Sequence, residues 1–205
     1  GIIEIHGHDA EALLQKITIN NVSKLNVNRT QYSMICNEDG GILDDIMLSR
    51  MKNYFVMVVN AGNVNKILKW FDKQLGNLDV SYKFLDDLSI LAVQGPQARD
   101  IILDACDDDI EYKPFSLFKT KVLGKEATIS TTGYTGEKGA ELFIKNEDVA
   151  FVWRYLLNEG VKPCGLGARD TLRIEAGLPL YGQELSEEIN PLMTNYDWVA
   201  KFDKG

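Results

Sequence analysis

Two stretches of this sequence carry the same pattern, and few folds satisfy both copies at once. Gly7, Ala10, Leu13, Leu14 and Ile17 recur as Gly95, Ala98, Ile101, Ile102 and Ala105 at a constant offset. The apolar members fall at i, i+3, i+4 and i+7, one stripe of an amphipathic helix. Further along, FVMVVN followed by a stripe from Val64 returns as ELFIKN followed by a stripe from Val149, at nearly the same offset. Strand candidates lie between these helices at 31–36, 42–51, 54–60, 89–93, 119–123, 126–131 and 140–144. Together they predict two copies of a β-α-β-β-β-α unit, with hairpins that make the sheets antiparallel. The matched positions are core-stripe positions, which favours a duplicated unit over the echoes any chain of this class shows. The predicted class is α+β: two packed antiparallel-sheet units with flanking helices, one over 1–87 and the other over 88–205. No low-complexity linker marks the boundary near Leu85 to Leu88.

A chain of 205 residues can bury a proper core. Its 22 Lys and Arg against 30 Asp and Glu leave a net charge of −8. That balance argues against a nonspecific grip on nucleic acid or an anionic membrane, while leaving room for a small anion held by placed cations. No apolar run approaches the roughly 20 residues of a membrane span. Cys36, Cys106 and Cys164 form no CxxC pair and suit a reducing compartment. His6 and His8 share a strand end without a third ligand, so no metal is expected. No nucleophile elbow or catalytic cysteine signature is present. The chain opens on Gly1 in a strand-like GIIEI and closes on KFDKG, and both ends read as cuts within a longer protein.

Three segments are locally odd. In NEDGGILDDIML, Asp39-Gly40 signals a hairpin whose central residues both take positive φ. Beyond it, Asp44 and Asp45 interrupt an apolar strand, and alternation sends them to opposite faces. Two readings stand: a half-buried carboxylate with a partner or a raised pKa, or a solvated pair at a frayed strand end. In TTGYTGEKGAELF, three glycines punctuate a polar loop that leads into a strand, unlike a phosphate loop, which leads into a helix. Glu141 there lies at an apolar margin, where anchoring a loop is the commonest role. In PCGLGARDTLRIEAGLPLYGQEL, residues 166–176 read as a helix stopped by Gly177 and Pro179. Gly165, Ala168, Leu172 and Ala176 share a face with Arg169 beside it, either a structural ion pair or a clamp for a carboxylate ligand.

NEDGGILDD, VVNAGN, STTGYTGEKGAELF, GLGARDTLRIEAGLPLYGQEL and DWVAKFDK, in that order, resemble the T-protein family of the glycine cleavage system. These are tetrahydrofolate-dependent aminomethyltransferases, and the likeness runs from end to end of the chain. It implies a folate-binding fold, with a segment before Gly1 and a β-barrel domain after Gly205. It also implies transfer of a one-carbon unit from the aminomethyl-lipoyl arm of the H-protein to tetrahydrofolate, with release of ammonia. By resemblance Asp45 is the essential carboxylate, and Val58, Asn60, Glu141 and Arg169 are folate contacts. Tyr32, Tyr134 and Trp198 match aromatic positions around the pocket, and the stretches bearing Asp45, Glu141 and Arg169 are expected to meet around one cavity. The partners implied are tetrahydrofolate as co-substrate and the lipoylated H-protein, in bacterial or archaeal cytoplasm or a mitochondrial matrix. Met193 departs from the family's usual Glu after Pro-Leu, and a piece lacking its flanks is expected to turn over little. Two alternatives use the same scaffold: a folate-binding protein of iron–sulfur maintenance and a folate-dependent demethylase. The former carries a Lys-Gly-Cys-Tyr motif, whereas GLPLYGQE here has no cysteine.

Overall fold

The computed structural model describes residues 1–204. The first half runs β1 (Ile2–His6), α1 (Ala10–Ile17), β2 (Arg29–Cys36), β3 (Ile42–Arg50), β4 (Phe55–Val58), α2 (Val64–Leu75) and β5 (Ser81–Leu85). The second runs β6 (Leu88–Gln94), α3 (Ala98–Ala105), β7 (Leu117–Val122), β8 (Lys125–Ser130), β9 (Gly139–Lys145), α4 (Val149–Asn158) and α5 (Leu166–Glu175). All strand pairs are antiparallel, in the orders β2-β3-β4-β1-β5 and β6-β9-β8-β7. Leaving β5 aside, the two sheets have one topology, so the predicted α+β fold with its repeated unit is what forms. No helix among the described residues is long and apolar enough to cross a membrane.

The helical stripes form because their apolar positions meet a sheet face. Ala10, Leu13, Leu14 and Ile17 of α1 and Val64, Ile67 and Phe71 of α2 pack on Ile3, Ile5, Ile46, Leu48 and Met57. Ala98, Ile102 and Ala105 of α3 and Val152 and Leu156 of α4 pack on Val93, Ile129, Leu142 and Ile144. The echo of FVMVVN in ELFIKN is one residue out of step with this packing. Met57 and Val59 face one core, and Leu142 and Ile144, not Phe143, face the other. A one-residue slip flips a strand's faces, so the core positions and not the letter match define the repeat.

Three expectations need correction. First, the stretch from Pro179 belongs to the unit formed by residues 1–86, leaving Asp87–Leu178 as the second unit. The Ile42 amide donates to the Ser186 and Ile189 carbonyls at 3.0 and 3.1 Å. Tyr181 donates its hydroxyl to the Ile42 carbonyl at 3.1 Å, and Leu185 is buried with Met34 and Ile42. This segment is built of turns without periodicity, so no stripe announces where it packs. Second, β5 was not expected, because as an edge strand it leaves Ser81, Lys83 and Phe84 exposed and shows no apolar alternation. Third, only Gly40 takes positive φ in the β2–β3 turn, at +85°. The Asn37 side chain organises a wider turn by accepting from the Asp39 and Gly41 amides at 3.0 and 2.8 Å.

The return segment leaves no room beside Gly41, where an added Cβ would collide with the Glu187 carbonyl. Gly41→Ala is expected to lower stability by about 1–3 kcal/mol, read by thermal unfolding. Gly167, in α5 with open space around its Cβ position, should show the reverse on replacement by Ala, a gain of about 0.5–1 kcal/mol.

Candidate functional site

The two aspartates of β3 are brought together by a single amide. Continuing the β3–β4 register, in which Met47 pairs with Val58, sets Asn60 across from Asp45. Asn60 Nδ2 donates to Asp44 Oδ1 and to Asp45 Oδ1, both at 2.8 Å. Its backbone amide donates to Asp44 Oδ2 at 2.9 Å. Asn63 Nδ2 is the third donor to this carboxylate, reaching Asp44 Oδ1 at 2.6 Å. Tyr32 donates its hydroxyl to Asp45 Oδ2 at 3.2 Å. Asp44 is 0 % exposed, and Asp45 is half-buried. The solvated, frayed-end reading of the pair is therefore set aside.

Burial raises the Asp44 carboxyl, while the Asn60 and Asn63 amides and the Lys66 charge oppose the shift. For Asp45, burial and then the neighbouring Asp44 charge push the carboxyl up to about 6, against the hydrogen bonds from Asn60 and Tyr32. A carboxyl so placed changes protonation near neutrality, the condition for acid–base work. Burial and then the Asp45 charge also raise the Tyr196 hydroxyl.

An aromatic row extends from this pair. The Tyr32 and Tyr196 rings lie 5.5 Å apart, and Tyr196 and Trp198 6.1 Å apart. Trp198 is 58% exposed. Val58 ends β4 and pairs with Met47 and Ile2. Tyr32, Asn60 and Asp45 thus converge directly, whereas Trp198 joins them through Tyr196. Lys66, one turn into α2, donates to the Tyr181 hydroxyl at 2.7 Å and to Glu187 at 2.9 Å. A cavity of about 400 Å³ in the same unit, lined by Lys16, Trp70 and Phe202 among others, contains none of these site residues. Here the hydrogen-bonded cluster, and not cavity size, marks the candidate site.

In the second unit Glu141 sits on β9, paired with Ser130 on β8 and Ala92 on β6. Thr132 donates to Glu141 Oε2 at 2.5 Å, and the Ser130 and Thr132 hydroxyls lie 2.6 Å apart. Gln94 Nε2 donates to the Thr132 and Ala140 carbonyls at 3.1 Å each, and its buried Oε1 has no partner. From the same loop, Tyr134 lies under the Arg169 guanidinium, 4.6 Å from the ring centre. Of the face beside Arg169, Gly165 and Ala168 are exposed, as is Arg169 itself, and α5 is held at its C-terminal end. The buried arginine of this helix is Arg173, 5% exposed, donating to Asp170 at 2.8 Å and to the Leu178 carbonyl at 3.2 Å. Among the described residues no group of three or more His, Cys, Asp or Glu could hold a metal. Burial pushes the Cys36 and Cys106 thiols up to about 11, away from reactivity.

Sequence reasoning missed Asn63, Tyr196 and the locking role of Asn60. The signal available was NAGN, two asparagines spaced to open a helix immediately after a strand.

Residues 1–204 match the family described as the GCVT N-terminal domain. An aminomethyltransferase of Caldanaerobacter subterraneus subsp. tengcongensis is 44% identical over all of this chain and 57% of its own length. One from Bacillus pumilus is 44% identical over all of the chain and 58% of its own. The glycine cleavage system aminomethyltransferase T of Bartonella henselae superposes with a TM-score of 0.90 at 30% identity, over 99% of this chain and 56% of that one. A heterotetrameric sarcosine oxidase from Corynebacterium shares the fold at 14% identity and a TM-score of 0.54, covering 84% of this chain and 80% of that one. The chain spans a little over half the length of the aminomethyltransferases it matches. By this match along its described length, the chain belongs to the GCVT N-terminal domain family.

Proposed function

We propose that this chain carries the acting carboxyl of a tetrahydrofolate-dependent aminomethyltransferase of the glycine cleavage system. The reaction moves a one-carbon unit from the aminomethyl-lipoyl arm of the H-protein to tetrahydrofolate and releases ammonia. The observation that carries the reading is Asp45, pushed up to about 6 and oriented by Asn60 and Tyr32. Forming a carbon–nitrogen bond at a folate nitrogen frees a proton, and ammonia leaving consumes one. A carboxyl that is neither firmly charged nor firmly neutral can serve either transfer. Asn60 holds Asp45 from one side, and Tyr32 fixes its second oxygen. The names of the relatives support the same reaction.

The residues also suit a pterin, whose edge is rich in N–H donors. Carboxylates at apolar margins accept such donors, and Glu141, anchored by Thr132, is one. The unpartnered Gln94 Oε1 is a further buried acceptor in that unit. Arg169 and Tyr134 are proposed folate contacts, the guanidinium serving a carboxylate tail. Val58 and Trp198 complete the proposed folate-binding set.

In the full-length protein, Asp45→Asn is expected to cut turnover of aminomethylated H-protein by about 100-fold or more. Tetrahydrofolate affinity, read by calorimetry, should change much less. Unchanged turnover would remove Asp45 from the reaction. Glu141→Gln should do the opposite, weakening tetrahydrofolate binding by about tenfold in the same titration.

The Asp45 substitution has a second expected effect. An unfolded aspartate titrates near about 3.9, and folded Asp45 near about 6, so the folded state holds the proton more tightly. Stability therefore falls as pH rises from about 4 to about 6, and the loss persists above that window. Asp45→Asn removes the loss. Denaturant unfolding should find the variant about 1–2 kcal/mol more stable than the parent at pH 8 and little different at pH 4.

A further inference from the structure

Asp44 is the most heavily served carboxylate of the pair, and it is fully enclosed by the protein. Asn63 stands at the N-cap of α2, yet its side chain makes no cap hydrogen bond. Its Nδ2 is given instead to Asp44 Oδ1, at 2.6 Å. Asn60 gives Asp44 two donors, the backbone amide at 2.9 Å and Nδ2 at 2.8 Å. Asp44 thus accepts at both oxygens, from one backbone amide and two side-chain amides, donors that favour its charged form. Because the Asn60 amide also reaches Asp45 Oδ1 at 2.8 Å, its plane is fixed between two acceptors. Rotating it to satisfy one carboxylate would break the contact with the other.

We propose that Asp44, held charged by Asn60 and Asn63, is a positioning residue that orients Asn60 across the pair and leaves Asp45 as the member that takes the proton. The inference rests on the reading of Asp45 as the acting carboxyl. Two like charges sharing one donor do not ionise independently, so the pair titrates as a unit with unequal members. The charged and titratable groups around it are few. Lys66 from α2 interacts with Asp44. Tyr32 from β2 bonds Asp45, and Tyr196 from the return segment lies in its field. The Lys66 charge favours ionisation of Asp44, and the neutral phenols give Asp45 no comparable support. If Asp44 served the helix terminus alone, its loss would lower stability and leave the Asp45 titration where it was.

The test is a carboxyl carbon-13 NMR titration of the full-length protein, run beside the pH profile of transfer to tetrahydrofolate. In Asp44→Asn the Asp45 midpoint should fall by about one pH unit, and the limb of the rate profile set by Asp45 should move with it. An Asp45 midpoint unmoved in folded Asp44→Asn overturns the proposal. Should that variant fail to fold, Asn63→Ala decides alone, since it keeps the carboxylate and removes one donor. The Asp44 midpoint should then rise toward that of Asp45, and an unchanged separation overturns the proposal. If the midpoints shift as stated while the parent protein transfers nothing to tetrahydrofolate, the coupling of the pair stands and the assigned reaction falls.

Discussion

Enclosing an ionised carboxylate costs several kcal/mol unless donors replace the water it loses. Asp44 sits on the core-facing side of β3, near Ile46 and Leu48, with no solvent contact. That cost makes its surroundings interdependent. Asn60 must follow β4 at the end of a register that pairs Met47 with Val58, and Asn63 must open α2 where its amide can reach. A one-residue slip of β3 would turn Asp44 away from these donors and bring an apolar side chain to them. The helix start, the strand register and the acid–base pair are therefore one constraint seen from three sides.

Legibility in the sequence followed burial. Helices α1 to α4 were readable because each shows the core a full stripe, such as Val64, Ile67 and Phe71. Strands such as β3, β4 and β9 were readable because most of their residues are buried. Edge strand β5 was not, since most of SYKFL faces solvent and the selection for alternation is gone. The stretch from Pro179 was misplaced for a different reason. It holds the first unit through the backbone amide and carbonyl of Ile42 and through scattered buried residues such as Leu185, and such contacts leave almost no mark on composition.

The site was legible as residue types and not as bonds. A strand carrying Asp44 and Asp45 was visibly odd, yet alternation alone sets them on opposite faces and cannot supply the shared amide. That amide comes from a residue beyond the end of β4, outside any periodic pattern. Arg169 and Arg173 show the same limit, because the helical wheel places both near one stripe. Only the packed C-terminal end of α5 decides that Arg173 is enclosed, bonded to the exposed Asp170, while Arg169 stays in the open over Tyr134.

The repeated topology isolates what is special about the first unit. In its core Leu48 pairs with Met57, and in the other core Ile129 pairs with Leu142. Counting back equally along β3 and β8 from these pairs reaches Asp44 in one unit and Lys125 in the other. Counting forward equally reaches Asn63 and Asp148, the N-cap residues of α2 and α4. These positions bond in both units: Asn63 to Asp44 at 2.6 Å, and Lys125 to Asp148 at 2.7 Å. The second pair has opposite charges and 41% and 17% side-chain exposure, so water and the opposite charge share the work. The first pair encloses a single negative charge and answers it at hydrogen-bond distance with neutral amides, aided by the charge of Lys66. One scaffold position thus supports either a solvated ion pair or an enclosed carboxylate. Only the second choice leaves a neighbouring aspartate, Asp45, that burial and then the enclosed charge push up to about 6.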